Sequence, residues 1–258
     1  MAARLGSLRN LAFMRPGDIT LFLQGARVDA TIERLQREQG CRQAMEAVYA
    51  EGDPWLSADR RFAYQRRKYD VIAGLLPCRR FGRALDLGCG LGGFTRLVAD
   101  RSDHVLGMDI SQQAVAQASA RHGRVAHMQF CQGDLLSLPE ELDGALDLVT
   151  VVDTLYYLPP PICDDALKAA AARLGRLLRP GGVLLLANHY VAPFERLSRL
   201  TRRIQSAFTW APSLRLLSRH RHPFYVTSLF GPAADAVPLA PAHLAGAVPA
   251  AIPGGLAV

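Results

Sequence analysis

Residues 84–93 read Ala-Leu-Asp-Leu-Gly-Cys-Gly-Leu-Gly-Gly, and they carry the clearest chemistry in this sequence. Gly88 and Gly90 let a chain leaving a strand turn sharply with no Cβ in the way of a ligand, and a helix N-terminus behind them offers free N–H groups. Asp109 stands where a second strand ends, placed for its carboxylate to accept two vicinal hydroxyls of a ribose. Gly133-Asp134 follows a third strand, where a carboxylate accepts from an exocyclic amino group. Asp153-Thr-Leu-Tyr-Tyr157 and Asn188-His189-Tyr190 follow two further strands. His189 titrates near neutrality and is the first candidate for a general base, and Asp153 is a second group to position or deprotonate an acceptor. Tyr156 and Tyr157 offer aromatic faces to a cation or an acceptor. Trp55 and Tyr64 come from an earlier segment and are expected to line a sugar or cofactor edge.

These residues need a scaffold that brings strand ends together. Short apolar strands read at 83–87, 104–109, 127–131, 146–152 and 183–188, separated by helices near 92–101, 111–121 and 164–178. That alternation specifies an α/β fold with a doubly wound, mostly parallel sheet. Leu178-Arg-Pro-Gly-Gly182 is expected to turn into the fifth strand. An amphipathic helix follows, with Phe194, Leu197, Leu200, Ile204 and Phe208 on its inner face, and 223–230 is one further strand. Upstream, Val28, Ile32, Leu35, Met45 and Val48 recur at helical spacing with a break at Gly40. Phe62, Tyr69, Ile72, Ala73 and Leu76 form a second apolar face that ends before Pro77. The expected organisation is a loose N-terminal extension (1–27), a helical lid (28–80), the main domain (81–230) and a disordered Ala/Pro-rich tail (231–258).

The glycine turn fits two cofactors. Gly88, Gly90 and Gly93 satisfy the G-x-G-x-x-G dinucleotide pattern, with Asp109 near the matching distance. Asp86, Asp134 and the 178–182 turn favour S-adenosylmethionine, because a carboxylate at position 86 repels a pyrophosphate and welcomes a cationic amino acid moiety. Asp86, Gly88, Cys89, Gly90, Asp109, Ile110, Gly133, Asp134 and Leu135 are therefore assigned to the cofactor. Cys89 serves there as a small filler of the turn. No residues are assigned to a metal.

Asp86-x-Gly88-x-Gly90-x-Gly92, Asp109, Asp134 and Leu178-x-Pro-Gly-Gly182 resemble class I S-adenosylmethionine-dependent methyltransferases across about 81–230. A closer likeness over about 50–160 rests on Asp53-Pro-Trp55, Tyr64-x-x-Arg-Lys-Tyr69, Gly88-Cys-Gly90 and Asp153-Thr-Leu-Tyr-Tyr157. It is similar to the nodulation protein S type of N-methyltransferase, which acts on an amino sugar of a chitooligosaccharide. The resemblance implies a Rossmann-like sheet, a methionine site at the glycine turn and Asp86, a ribose site at Asp109 and an adenine site at Asp134. It implies methyl transfer to a small molecule, foremost an amine of an amino sugar or related metabolite. An O-methyltransferase, an RNA methyltransferase and a non-catalytic cofactor-binding partner protein are the alternatives. The class usually ends in a β-hairpin, of which only 223–230 reads as a strand.

Composition bounds the partners. The 258 residues carry a net charge of +7 with 28 Arg and two Lys, Lys68 and Lys168. Residues 59–83 and 190–222 contribute +6 each, so the remainder is acidic at −5. Two cationic stretches flanking an acidic domain suit a small-molecule acceptor, anionic or sugar-like, approached over a basic rim. Nucleic acid is not expected, since no RNA-binding module accompanies the charge. Five dispersed cysteines without C-x-x-C spacing read as reduced thiols of a cytoplasmic protein, and no apolar run is long enough for a transmembrane segment.

Overall fold

The computed structural model describes residues 18–57, 59 and 63–233. Residues 1–17 of the expected extension, residues 234–258 of the expected tail, and Phe62 lie outside the described residues.

Seven strands form one sheet: β1 (Phe81–Leu87), β2 (Ser102–Asp109), β3 (Met128–Gln132), β4 (Leu146–Val152), β5 (Leu178–His189), β6 (Leu214–Arg221) and β7 (Tyr225–Pro232). Their order is β3-β2-β1-β4-β5-β7-β6. The first five are parallel, and β7 and β6 close the edge as an antiparallel hairpin. The helices α4 (Gly93–Ala99), α5 (Gln112–His122), α6 (Asp164–Arg176) and α7 (Arg196–Thr209) supply the crossovers. The sheet is thus the doubly wound, mostly parallel one that the sequence predicts, with the reversal of strand order falling between β1 and β4.

Alternation explains the two cores. Every residue of β4 is buried, as a strand covered on both faces requires. Leu85, Leu87, Val149, Val151, Leu184 and Leu186 pack against α6 and α7, through Leu167, Leu174 and Phe208 among others. Ala84, Leu148, Val183 and Leu185 point the other way, onto Phe94 and Val98 of α4 and Ile72. Three helices precede the sheet: α1 (Asp18–Gln39), α2 (Cys41–Ala50) and α3 (Tyr64–Gly74). Val28, Ile32, Met45, Val48 and Tyr49 from α1 and α2 form a third cluster with Leu91 and Ala114.

Four local expectations change. The first helix begins at Asp18 rather than Val28, because buried Leu21 extends the apolar period of Val28 and Ile32 by two turns. β5 already starts at Leu178, pairs with Leu146, and resumes register at Val183 opposite Leu148, so residues 179–182 are a bulge within it. Phe194 is 81% exposed, since α7 starts two residues later, where Glu195 accepts from the N–H groups of Leu197 and Ser198. The closing hairpin is present: β6 pairs with β7 over Leu214–Arg221. Its Leu-Arg-Leu-Leu-Ser-Arg-His-Arg sequence lacks a clean period because charge on an edge strand blocks pairing with another chain.

Candidate active site

The carboxyl ends of β1 to β5 and the three N-terminal helices enclose a cavity of about 590 Å³. That volume suits a nucleoside-sized ligand together with a small second molecule. Gly88, Cys89, Gly90, Asp109, Ile110, Gly133, Asp134 and Leu135 all line it, as do Asp153, Tyr156, Tyr157, His189, Trp55 and Tyr64.

The nucleotide end is built by hydrogen bonds between successive strand ends. Gly88 N–H and Cys89 N–H donate to Met108 O, and Gly90 N–H donates to Asp109 Oδ2 at 2.9 Å. Ser111 N–H donates to Asp109 Oδ1 at 3.0 Å, and Gly133 N–H to Asp109 O at 2.8 Å. Asp109 therefore holds the glycine turn, the start of α5 and the end of β3 in one register. Burial pushes its pKa up, and the N–H donors of Ser111, Gly90 and Ile110 oppose that rise. Asp134 accepts from Leu136 N–H through Oδ1. Gly88 adopts a left-handed backbone (φ 71°), and a Cβ there would overlap the Thr154 side chain, so the β1 and β4 loops meet only because residue 88 is glycine. At Gly90 (φ 51°) a Cβ would lie 2.8 Å from Tyr49 Oη, which places that hydroxyl over the turn.

Asp86 does not line the cavity. Its two oxygens accept from Thr95 Oγ1 and Thr150 Oγ1, both at 2.6 Å, and burial raises its pKa to about 6. Strand alternation gives the reason: Leu85 and Leu87 face α6 and α7, so Asp86 points to the opposite face beneath the turn. It braces the loop from below through Thr95 and Thr150. Burial raises the Cys89 thiol well above its usual range, as a filler requires.

At the other end a polar chain links four elements. Lys68 from α3, 6% exposed, pairs with Asp153 Oδ2, and Tyr156 Oη donates to Asp153 Oδ1. His189 N–H donates to Tyr156 Oη at 3.0 Å. Asp153 also holds a left-handed backbone (φ 56°), which costs about 1 kcal/mol for a residue with a Cβ. Both Asp153 oxygens are engaged, an arrangement that suits positioning, one of the two roles expected of it, better than deprotonation. His189 lies 3.9 Å from Glu195 across the cavity wall, and burial lowers its pKa, so the ring is neutral at pH 7 and able to accept a proton.

The sequence assigned no role to Tyr49, Asp29 or Lys68, which line the cavity, or to Glu46, which lies outside its lining. Tyr49, Trp55, Tyr157 and Tyr156 form a row of rings with centroids 5.7, 5.6 and 5.3 Å apart, running from the glycine turn to Asp153. Tyr157 Oη donates to Asp29 of α1 at 2.8 Å. Glu46 of α2 accepts from Ser111 Oγ (2.8 Å), Gln112 N–H (2.7 Å) and Gln113 N–H (3.0 Å), capping α5 from another helix. Burial raises the Glu46 pKa, but these donors outweigh it and hold it low. Lys68 had two signals, its rarity as one of two lysines and its place in the Tyr64-x-x-Arg-Lys-Tyr69 motif; Asp29 and Glu46 had none, because acids on amphipathic helices are usually solvent-facing.

Among the described residues of the two basic stretches, Lys68 is the one cation that lines the cavity. Carboxylates at Asp29, Asp53, Asp109, Asp134, Asp153 and Glu195 line it, against the cations Arg42 and Lys68. Arg196 of α7 pairs outward with Glu33, and Arg203 with Asp164.

Residues 84–182 match the family model described as a methyltransferase domain. Its sequence is 27% identical over 160 residues to Nodulation protein S of Rhizobium tropici, covering 62% of this chain and 64% of that protein. It is 34% identical over 143 residues to Malonyl-[acyl-carrier protein] O-methyltransferase of Enterobacter lignolyticus (strain SCF1), covering 55% of this chain and 52% of that protein. The chain thus spans about half to two thirds of the length of these relatives. Among solved structures, N-methyltransferase NodS from Bradyrhizobium japonicum WM9 in complex with S-adenosyl-L-homocysteine superposes with a TM-score of 0.63 at 22% identity. That superposition covers 74% of this chain and 98% of that one, and it establishes the shared fold. Among the described residues no helix is long and apolar enough to cross a membrane.

Proposed function

We propose that this protein is an S-adenosylmethionine-dependent methyltransferase acting on a small molecule, with an amine of an amino sugar or related metabolite as acceptor. One observation carries the reading: the glycine turn, Asp109 and Asp134 open into the same cavity as Asp153, His189 and the aromatic row. Asp109 is placed for the ribose hydroxyls, Asp134 with Ile110 and Leu135 for the adenine, and the 88–90 turn for the methionine part. A wall of carboxylates fits a cationic donor and disfavours a pyrophosphate, which separates this reading from a dinucleotide one. The same wall favours a cationic or neutral acceptor over an anionic one. α1, α2 and α3 act as the lid, excluding water from the reacting atoms.

When bound, S-adenosylmethionine supplies an electrophilic methyl group on a sulfonium. The residues of this chain then align and desolvate, which accounts for most of the acceleration of an in-line displacement. His189, neutral and inside the cavity, takes the proton that an ammonium acceptor must lose. Asp153, fixed by Lys68 and Tyr156, sets the edge against which the acceptor lies.

The test is transfer of a labelled methyl group from S-adenosylmethionine to amino sugars, matched hydroxyl-only sugars, small phenols and RNA. Labelling of the amino sugars alone is the expected result. Labelling of the hydroxyl compounds or RNA overturns the amine assignment, and no transfer by a protein that binds the cofactor product favours a non-catalytic partner.

A further inference from the structure

Most carboxylates of the cavity are already satisfied. Asp153 is paired with Lys68, Asp109 holds two backbone N–H groups, and Glu195 caps α7 beside His189. Asp29 is different. It is half-buried on the inner face of α1, and it accepts from Tyr157 Oη at 2.8 Å. No ion pair among the described residues neutralises it. Arg196, whose charge favours the ionised form, is itself bound to Glu33, and the hydrogen bonds from Tyr157 and Trp55 act on the carboxylate more strongly than it does. Burial raises the Asp29 pKa, as expected for a carboxylate without a countercharge.

The surroundings say what would complete it. Trp55 and Tyr157, ring centroids 5.6 Å apart, stand beside this carboxylate, and Tyr156 continues the wall toward Asp153 and His189. Aromatic rings and a carboxylate that has hydrogen bonds from Tyr157 and Trp55 but no ion pair among the described residues together select a cation, since each favours positive charge and neither favours an anion. The pair Asp29–Tyr157 belongs to two elements 128 residues apart in sequence, so the seat exists only when α1 is docked over the strand ends. Both walls line the same cavity as the glycine turn, on the lid side of it.

We propose that Asp29, with Trp55 and Tyr157, forms a binding seat for an ammonium group of the acceptor, and that this seat selects amine-bearing over neutral and acidic small molecules. This assignment rests on the methyltransferase reading for the identity of its ligand as an acceptor. Binding of a cation at Asp29 is independent of that reading.

The experiment is calorimetric titration of the full chain, with and without saturating S-adenosylhomocysteine. Glucosamine and spermidine are the ammonium probes, glucose the neutral probe and glucuronate the acidic one. The wild type is expected to bind at least one ammonium probe more tightly than glucose or glucuronate. Asp29→Asn keeps the shape and an acceptor for Tyr157 Oη, and is expected to weaken that probe by about 10- to 100-fold, the usual consequence of removing one charge-assisted hydrogen bond. Asp29→Glu is expected to recover part of the loss, and S-adenosylhomocysteine affinity is expected to change less than twofold in both variants. The proposal is overturned by ammonium probes that bind wild type and Asp29→Asn alike, by preference for glucose or glucuronate, or by no ammonium binding at all. Failure of S-adenosylhomocysteine to bind the wild type would instead remove the methyltransferase reading, leaving the ammonium titration to judge Asp29 alone.

Discussion

Lys68→Met is the sharpest test of the polar chain at the acceptor end. The substitution keeps an unbranched apolar stem of similar length and removes only the ammonium group, which is 6% exposed and paired with Asp153. Removing one partner of a buried pair typically costs about 3–5 kcal/mol, because the other charge stays behind unpaired. Asp153 is 25% exposed, so water recovers part of that, and its bond from Tyr156 Oη remains. The ammonium also lies 5.4 Å from the centroid of the Tyr225 ring, a contact worth about 0.5–1 kcal/mol. The expected loss is therefore about 2–4 kcal/mol. Urea unfolding of the ligand-free protein at pH 7 reads it as a lower midpoint with an unchanged slope, and omitting ligand keeps binding out of the comparison. Asp153→Asn removes the orphaned charge, so the double variant is expected to be more stable than the two single losses summed, by at least about 1 kcal/mol. A Lys68→Met loss below about 1 kcal/mol, or strict additivity with Asp153→Asn, would refute the pairing.

Two pH-dependent outcomes follow from burial. His189 has its pKa lowered from 6.5, so methyl transfer is expected to rise with pH through a value below 6.5, and His189→Ala to remove that limb and lower kcat by about 10²–10⁴; an unchanged profile removes His189 as the base. Asp86 has its pKa raised from 3.8 to about 6, so the folded state holds this proton more tightly than the unfolded one. Its contribution is fully present below pH 3.8 and lost as pH rises through about 6, a change of up to about 3 kcal/mol, and Asp86→Asn is expected to flatten the stability-versus-pH slope over that window.

The sheet was legible because β4 and β5 are near-continuous apolar runs, which only a strand covered on both faces requires. The nucleotide end was legible for the same reason. A glycine turn, Asp109 and Asp134 each follow directly from a strand, and parallel strands bring those ends to one edge. β6 escaped because its defining trait is edge charge rather than period. Asp86 turns toward Thr95 and Thr150 instead of the cavity, a direction that the alternation of Leu85 and Leu87 around it already fixes. The acceptor end depended on docking of α1, α2 and α3 across the sheet. That docking unites Asp29 with Tyr157, Glu46 with Ser111 and Lys68 with Asp153 over long sequence separations, and no local pattern encodes such meetings. The charge, too, changed meaning: a basic chain encloses an acidic cavity, which a sum over residues conceals.

The central claim is that the glycine turn and Asp109 hold the nucleoside of S-adenosylmethionine. Calorimetric titration with S-adenosylhomocysteine and with NAD, on wild type and Asp109→Ala, tests it most directly. The expected result is one-to-one binding of S-adenosylhomocysteine, no binding of NAD, and at least tenfold weaker binding in the variant. Binding of NAD in place of S-adenosylhomocysteine, or an Asp109→Ala affinity equal to wild type, would contradict it.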